Sequence, residues 1–217
     1  MIVKEQMIQG SEEWLDVRRG RPTASQFSRI LTPAKCQMAA GRFEYMDELI
    51  AECFWPEFVE FEGNRWTDRG TELEPDARAA FADLSGAEVQ EVGFVTRDDE
   101  LVGCSPDGLL LDTGGGYCAG LELKCPAPRK HVQYVRGGKL PQEHKCQVHG
   151  GMAVTGLDEW HFVSYAPGVR LFWVVVQRDE FTDQLSDAID QFVCEYAEAR
   201  DCVIPALCLP KAKEQEE

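Results

Sequence analysis

The sequence predicts an α+β or mixed α/β fold around one sheet. Three observations lead there. Apolar residues recur at helical spacing over 43–54 and in the later part of 66–86; the period shortens to two from residue 87; and two strand-like runs, EWHFVSY and RLFWVVVQ, precede a closing amphipathic segment. A chain of 217 residues, 44% hydrophobic and 28% charged, can bury its core without disulfides. One domain over 1–210 is expected, followed by a disordered acidic tail at 211–217.

Each element has a local reason. In SEEWLDVRRG, Ser11 can cap a short helix whose first turn carries Glu12 and Glu13. TASQFSRIL reads as a second short helix with Thr23 as its cap. FEYMDELIAECF is a third. In WTDRGTELEPDARAAFADLSG only the later part is expected to be helical, with Pro75 marking a first turn or a kink and Gly86 a stop. AEVQEVGFVTR alternates as one strand, and LVGCS follows the DDE turn as another. GLLLD and GYCAGLELK flank TGGG as a hairpin. Helices follow Pro128 and Pro141, the latter reaching about Thr155. The APG turn joins the last two strands, and the closing helix begins at DEF.

Composition narrows the function. The nine cysteines include no CxxC pair and the four histidines have neither HExxH nor finger spacing, so zinc is not expected. Cys104 and Cys125 read as small buried fillers. The N-terminus lacks a signal-peptide pattern, and the longest apolar run, LFWVVV, is far too short to span a bilayer. A reduced, cytoplasmic protein is expected. The formal net charge of −16 disfavours nucleic acid, but its distribution does not. Residues 16–35 hold five Lys/Arg against one acid, and residues 124–145 hold six against one.

The informative stretch is CSPDG at 104–108 with GLELKCP at 120–126. A hairpin brings the start of one strand beside the end of the other, so Asp107 meets Glu122 across fourteen intervening residues. Alternation puts Glu122 and Lys124 on one face and turns Leu121 and Leu123 into the core. Adjacent carboxylates repel unless a positive charge lies between them. Hard oxygen donors suit Mg²⁺ or Mn²⁺, which can activate water against a phosphodiester, and Lys124 can hold that water. A surface hairpin with a salt bridge has the same pattern, although idle charge in an apolar strand is costly.

This pattern resembles the PD-(D/E)xK nuclease motif, whose core is restriction-endonuclease-like. With WLDVRRG, TAS, RGTELE, CSPDG, GLELKCP and KCQ in that order, the chain resembles the phage lambda exonuclease family, the YqaJ-type viral recombinases, over about residues 11–200. The resemblance implies a bacterial or prophage-encoded exonuclease. Such an enzyme digests the 5′-ended strand of linear duplex DNA, needs Mg²⁺ (Mn²⁺ substituting, two ions) and leaves a 3′ overhang. It also implies a homotrimeric ring and a single-strand annealing protein as partner.

Residue by residue, the resemblance implies that Asp107, Glu122 and the Leu123 main-chain carbonyl hold metal, with Glu74 on the second-metal side, through water. Lys124 matches the residue that orients the water, and Gln147 an active-site glutamine. Arg18, Ser25 and Ser105 match a pocket for the 5′-terminal phosphate, which a guanidinium and hydroxyls suit. His149 departs from the family pattern, standing where glutamine is frequent, and reads as a packed or exposed histidine; Trp160, Tyr165 and Trp173 read as core or interface aromatics. Two rival readings stay open: a structure-specific endonuclease of the same superfamily, and a non-catalytic DNA-binding subunit.

Overall fold

The computed structural model describes residues 1–55 and 65–208, and for residues 65–71 the main chain alone. The tail at 211–217 and the side chains at 69–71 of RGTELE therefore lie outside the described residues. The elements run β1 (Ile2–Lys4), α1 (Glu12–Arg18), a 3₁₀ helix (Ala24–Arg29), α2 (Arg42–Phe54), α3 (Arg65–Ser85), β2 (Glu88–Gln90), β3 (Phe94–Thr96), β4 (Gly103–Cys104), β5 (Gly108–Leu111), β6 (Tyr117–Lys124), α4 (Pro128–Gly137), a 3₁₀ turn (Gln142–His144), α5 (Lys145–Thr155), β7 (Glu159–Ser164), β8 (Phe172–Gln177) and α6 (Glu180–Leu207).

The fold is mixed α and β, as expected, but the strands form two sheets rather than one. A five-stranded sheet has the order β2-β5-β6-β7-β8, and a three-stranded sheet the order β1-β3-β4. The segment read as one strand over 87–97 is the cause. Its first part, β2, pairs with β5, and its second, β3, pairs with β1. Between them the Gly93 amide bonds to Lys4 O at 3.1 Å, which moves the chain onto the N-terminal strand. β1 has only three residues, too few to show a period.

β6 is the centre of the larger sheet. It pairs antiparallel with β5 and parallel with β7, and the parallel return runs through α4 and α5. One face packs Leu121, Leu123 and Val163 against Ala77 and Phe81 of α3. The other packs Trp160 and Phe162 against Tyr134 of α4 and Val148 and Met152 of α5. The largest core lies beyond α5, where Leu185, Ile189 and Phe192 of α6 meet Phe27, Leu49 and Val95.

The helix ends follow sequence chemistry with two exceptions. Ser11 Oγ accepts from the Trp14 amide at 3.3 Å, Pro128 opens α4, and Gly138 and Gly156 end α4 and α5 in the left-handed region. Asp179 and Thr182 close a capping box on α6. The exceptions are α3, which starts ten residues before Pro75 and continues through it, and TASQFSR, which is 3₁₀ without a side-chain cap from Thr23. Thr23 is occupied elsewhere: its amide donates to Tyr45 Oη at 3.1 Å.

Candidate active site

The hairpin register decides the site. Gly108 lies opposite Leu121, so Asp107 falls one residue before the ladder begins, level with Glu122. Its amide donates to Leu121 O at 3.0 Å, and its Oδ2 accepts from the Leu123 amide at 2.5 Å. In an extended strand the N–H and C=O of one residue point to the same side. The Leu123 carbonyl is thus turned toward Asp107, past the end of β5. Arg78 holds the Asp107 main chain, donating from Nε to its carbonyl at 2.9 Å.

Glu122 and Lys124 share the face of β6 opposite Leu121 and Leu123, and Lys124 Nζ lies 2.5 Å from Glu122 Oε1. Glu122 is 3% exposed and Asp107 8%. Burial pushes Glu122 up to about 7, with Lys124 opposing and Asp107 adding to the rise. Burial raises Asp107 also, against Lys124 and the Leu123 amide. Burial alone would lower Lys124, but Glu122 and Asp107 outweigh it and raise it. Glu74, on α3, is pushed up to about 7 by burial and then by Asp107. Burial therefore favours the protonated form of these acids, against the opposing charge of Lys124.

Among the described residues no three acidic, histidine or cysteine side chains converge at chelating distance. The fit rests instead on two buried carboxylates, near enough for Asp107 to raise Glu122, and on the Leu123 main-chain carbonyl turned toward Asp107. Asp107 spends one oxygen on the Leu123 amide and keeps the other. Such oxygen donors, with carboxylates held above their ordinary range, suit a hard divalent ion.

A cleft connects this pair to the N-terminal elements. Arg18, Thr23, Ser25, Ser105, Glu122 and Gln147 all line it. Arg18 Nη1 donates to Ser105 Oγ at 3.2 Å and Nη2 to Thr23 Oγ1 at 3.4 Å, while the guanidinium lies 4.2 Å from the centre of the Trp14 ring. Thr23 Oγ1 is 3.4 Å from Ser25 Oγ. Burial holds Arg18 below its ordinary value. Its hydrogen-bond partners are neutral, whereas neighbouring Arg19 and Arg29 have Asp16 and Glu48 as counter-ions. A half-buried guanidinium held by hydroxyls is suited to an anionic oxygen.

The structure thus gathers Arg18, Ser25, Ser105, Glu122 and Gln147 in one cleft, with Asp107 and Lys124 adjoining Glu122. Glu74 stands outside the cleft lining and acts on Asp107 and Lys124 through charge. His149 is buried against α6, its Nδ1 2.8 Å from Thr182 Oγ1, and does not line the cleft. Cys104 and Cys125 are buried, and Cys104 lies in the cleft wall. Trp160 and Trp173 are strand aromatics. The Trp160 ring sits so close to Gly120 and Gly151 that a Cβ would come within 2.3 and 2.5 Å of it, so both positions exclude larger residues.

Sequence reasoning passed over Trp14 as a site residue, although its Nε1 donates to Ser105 Oγ at 2.9 Å; Thr23 stands at the N-cap position as read, but its hydroxyl accepts from Arg18 and makes no cap bond. It also passed over His144. Burial, then the charge on Lys124, depress this side chain to about 4, and its Nε2 is 2.9 Å from Tyr134 Oη. A His one turn from a cleft glutamine has no distinguishing pattern in sequence.

The YqaJ-like viral recombinase domain model matches residues 13–158, which takes in the site residues from Trp14 to Gln147. The chain belongs to the YqaJ-like viral recombinase family. Its fold is similar to that of an alkaline exonuclease (LHK-Exo) from Laribacter hongkongensis. They share 32% identity with a TM-score of 0.71, over 90% of this chain and 100% of that one. The same exonuclease in complex with dAMP aligns with 30% identity and a TM-score of 0.70 over the same shares. A phage related exonuclease from Haemophilus somnus 129PT shares the fold at 17% identity, TM-score 0.63, over 89% and 99% of the two chains. No curated protein matches this chain in sequence. Among the described residues of this YqaJ-like chain, no helix is long and apolar enough to cross a membrane.

Proposed function

We propose that this YqaJ-like protein is a metal-dependent DNA exonuclease that digests the 5′-ended strand of linear duplex and leaves a 3′ overhang. One observation carries the reading: the cleft that holds Glu122 also holds Arg18, Ser25 and Ser105. A hydrolytic centre and an anion pocket share one wall, so a strand end in the pocket would place the next phosphodiester near the carboxylates. Kinship to an alkaline exonuclease supports it.

Asp107, Glu122 and the Leu123 carbonyl would hold Mg²⁺, with Glu74 contributing through water. The ion supplies Lewis acidity at the phosphodiester and stabilises charge on its oxygens. The rest belongs to the chain. Lys124 orients the attacking water beside Glu122 and favours its deprotonated form. Gln147 accepts from the same region. Arg18, Ser25 and Ser105 bind the terminal phosphate and set which bond lies over the carboxylates. Exposed Arg129, Arg136 and Lys139, around α4, suit the duplex backbone, whereas Lys130 is engaged by Glu143 at 2.7 Å. A homotrimeric ring and a single-strand annealing partner belong to the same proposal and rest on the family.

Linear duplex labelled at either 5′ or 3′ end, incubated with Mg²⁺ or with chelator, tests the proposal. Mg²⁺-dependent release of 5′-terminal label first, with a closed circular duplex untouched, is expected. Cleavage of the circle would favour the endonuclease, and absence of hydrolysis the non-catalytic subunit.

A further inference from the structure

Asp107 has four polar atoms: an amide nitrogen, a carbonyl oxygen and two carboxylate oxygens. Three of them are held. The amide donates to Leu121 O at 3.0 Å and Oδ2 accepts from the Leu123 amide at 2.5 Å, both on β6. The carbonyl accepts from Arg78 Nε at 2.9 Å, and Arg78 belongs to α3. Among the described residues, Oδ1 is the atom left for a ligand.

The sheet does not supply the third contact. β2 pairs with β5 from Glu88 opposite Leu111 to Gln90 opposite Leu109, and the same register continued would bring Val92 beside Asp107. The ladder stops two residues short of Asp107, and the chain turns away at Gly93 to meet Lys4. Side chains span the gap instead. Gln9 Nε2 donates to Val92 O at 3.3 Å and to Pro106 O at 3.1 Å. Arg78 reaches Asp107 O with Nε and Glu91 Oε2 with Nη1, both at 2.9 Å. A guanidinium is planar, so bonds from two of its nitrogens fix the plane of the group.

The helix that carries Arg78 also carries Glu74, one turn earlier and on the same side. Ala77 and Phe81 pack that helix against Leu121 and Leu123 of β6. Apolar packing therefore holds α3 on the sheet, and Arg78 adds a polar tie from α3 to the strand end where Asp107 sits.

We propose that Arg78 is a positioning residue for the nuclease reaction: braced by Glu91, it fixes the Asp107 main chain and so keeps Oδ1 in place as a donor to a divalent ion. This rests on the nuclease reading and on Asp107 as a metal ligand. The guanidinium itself acts through Asp107 and needs no contact with DNA.

Calorimetric Mg²⁺ titration of the DNA-free protein, together with steady-state hydrolysis of linear duplex, tests the inference. Arg78→Ala should weaken Mg²⁺ binding about 10-fold or more and lower kcat at fixed Mg²⁺, with KM for DNA nearly unchanged. In the metal-free variant the Asp107 and Leu123 amides should exchange faster with deuterium while amides of α6 keep their wild-type rates, which separates local loosening from a general loss of stability. The Glu91 side chain is 71% exposed, so Glu91→Ala keeps the fold and carries the test should Arg78→Ala fold poorly. It should cost about threefold in Mg²⁺ affinity, and nothing further in the Arg78→Ala background. Unchanged Mg²⁺ binding in either single variant, a Glu91→Ala loss of equal size with and without Arg78, or a raised KM at full kcat would overturn the proposal. Wild type separates the two readings. If it binds Mg²⁺ and hydrolyses DNA while Arg78→Ala behaves identically, this inference alone fails; if wild type does neither, the nuclease reading fails with it.

Discussion

Lys124 Nζ lies 2.5 Å from Glu122 Oε1, and the two side chains come from the same face of one strand two residues apart. Glu122 is almost fully enclosed, while about 29% of the Lys124 side chain remains accessible. The pair is therefore asymmetric. The carboxylate is nearly closed off from bulk water and the ammonium is not, which places a fixed donor at the mouth of a buried acid.

Lys124→Ala should abolish most turnover while leaving the fold intact. Losing a positioned donor at a hydrolytic centre costs on the order of 10²-fold or more. The buried Glu122 left behind can take up a proton, so the fold need not carry an unpaired charge. With the lowering influence of Lys124 removed, Glu122 should titrate above its present value of about 7. Single-turnover rates with circular dichroism check both. Hydrolysis near the wild-type rate in a folded variant would dismiss the role of Lys124.

Two carboxylates near 7 make stability depend on pH. Glu122 and Glu74 are both raised far above the ordinary carboxylate value, by burial first. A folded state that prefers the protonated acids has their full stabilisation below about 4.3, the unfolded value, and loses it as pH rises through about 7. The metal-free protein should therefore melt at lower temperature at pH 8 than at pH 5. Added Mg²⁺ should restore Tm chiefly at the alkaline end, where the acids are charged. Thermal melts across this range, with chelator and with Mg²⁺, provide the measurement. A Mg²⁺ effect equal at pH 5 and pH 8 would contradict the assignment of Glu122.

Local chemistry made much of this legible. Ser11 before two glutamates, Pro128, and the alternation that separates Glu122 from Leu121 act within a few residues, and each is found where local rules place it. What escaped the sequence depends on distant partners. The split of 87–97 into β2 and β3 is imposed by β1, some ninety residues earlier. Arg18 meets Ser105 across 87 positions, so spacing says nothing of it and the family motifs alone joined them. The Tyr134–His144 contact is legible only once α4 and the turn before α5 are packed on the same sheet.

Asp107→Asn should preserve the hairpin and lose productive divalent binding. The amide oxygen can still accept from the Leu123 amide, as Oδ2 does at 2.5 Å. Its NH₂ would then occupy the position of the second carboxylate oxygen, turning a donor atom for a hard cation into a repulsive one. Calorimetric titration of Mg²⁺ or Mn²⁺ into the DNA-bound protein measures this. An isotherm matching wild type would exclude Asp107 as a ligand.

The last prediction concerns the DNA end. Arg18 is half-buried, and its hydrogen-bond partners among the described residues are the hydroxyls of Ser105 and Thr23, with the Trp14 face beside it, whereas Arg19 and Arg29 each make an ion pair. A terminal phosphate carries more negative charge than an internal one and offers several oxygens to a planar fork. The pocket should therefore prefer 5′-phosphorylated over 5′-hydroxyl duplex. Each cut creates a new 5′ phosphate, which the same pocket would draw forward, so the preference and processivity have one origin. Arg18→Ala should slow digestion, shorten each run and remove most of the phosphate preference, with little effect on Tm because the desolvation cost of a half-buried cation is lost along with its hydrogen bonds. Ser105→Ala should weaken the preference less, since Thr23 still orients the guanidinium. The comparison is the ratio of initial rates on the two substrates for wild type and both variants. An identical ratio in wild type and Arg18→Ala would show that the guanidinium does not hold the terminal phosphate, and would detach the N-terminal elements from the hydrolytic centre.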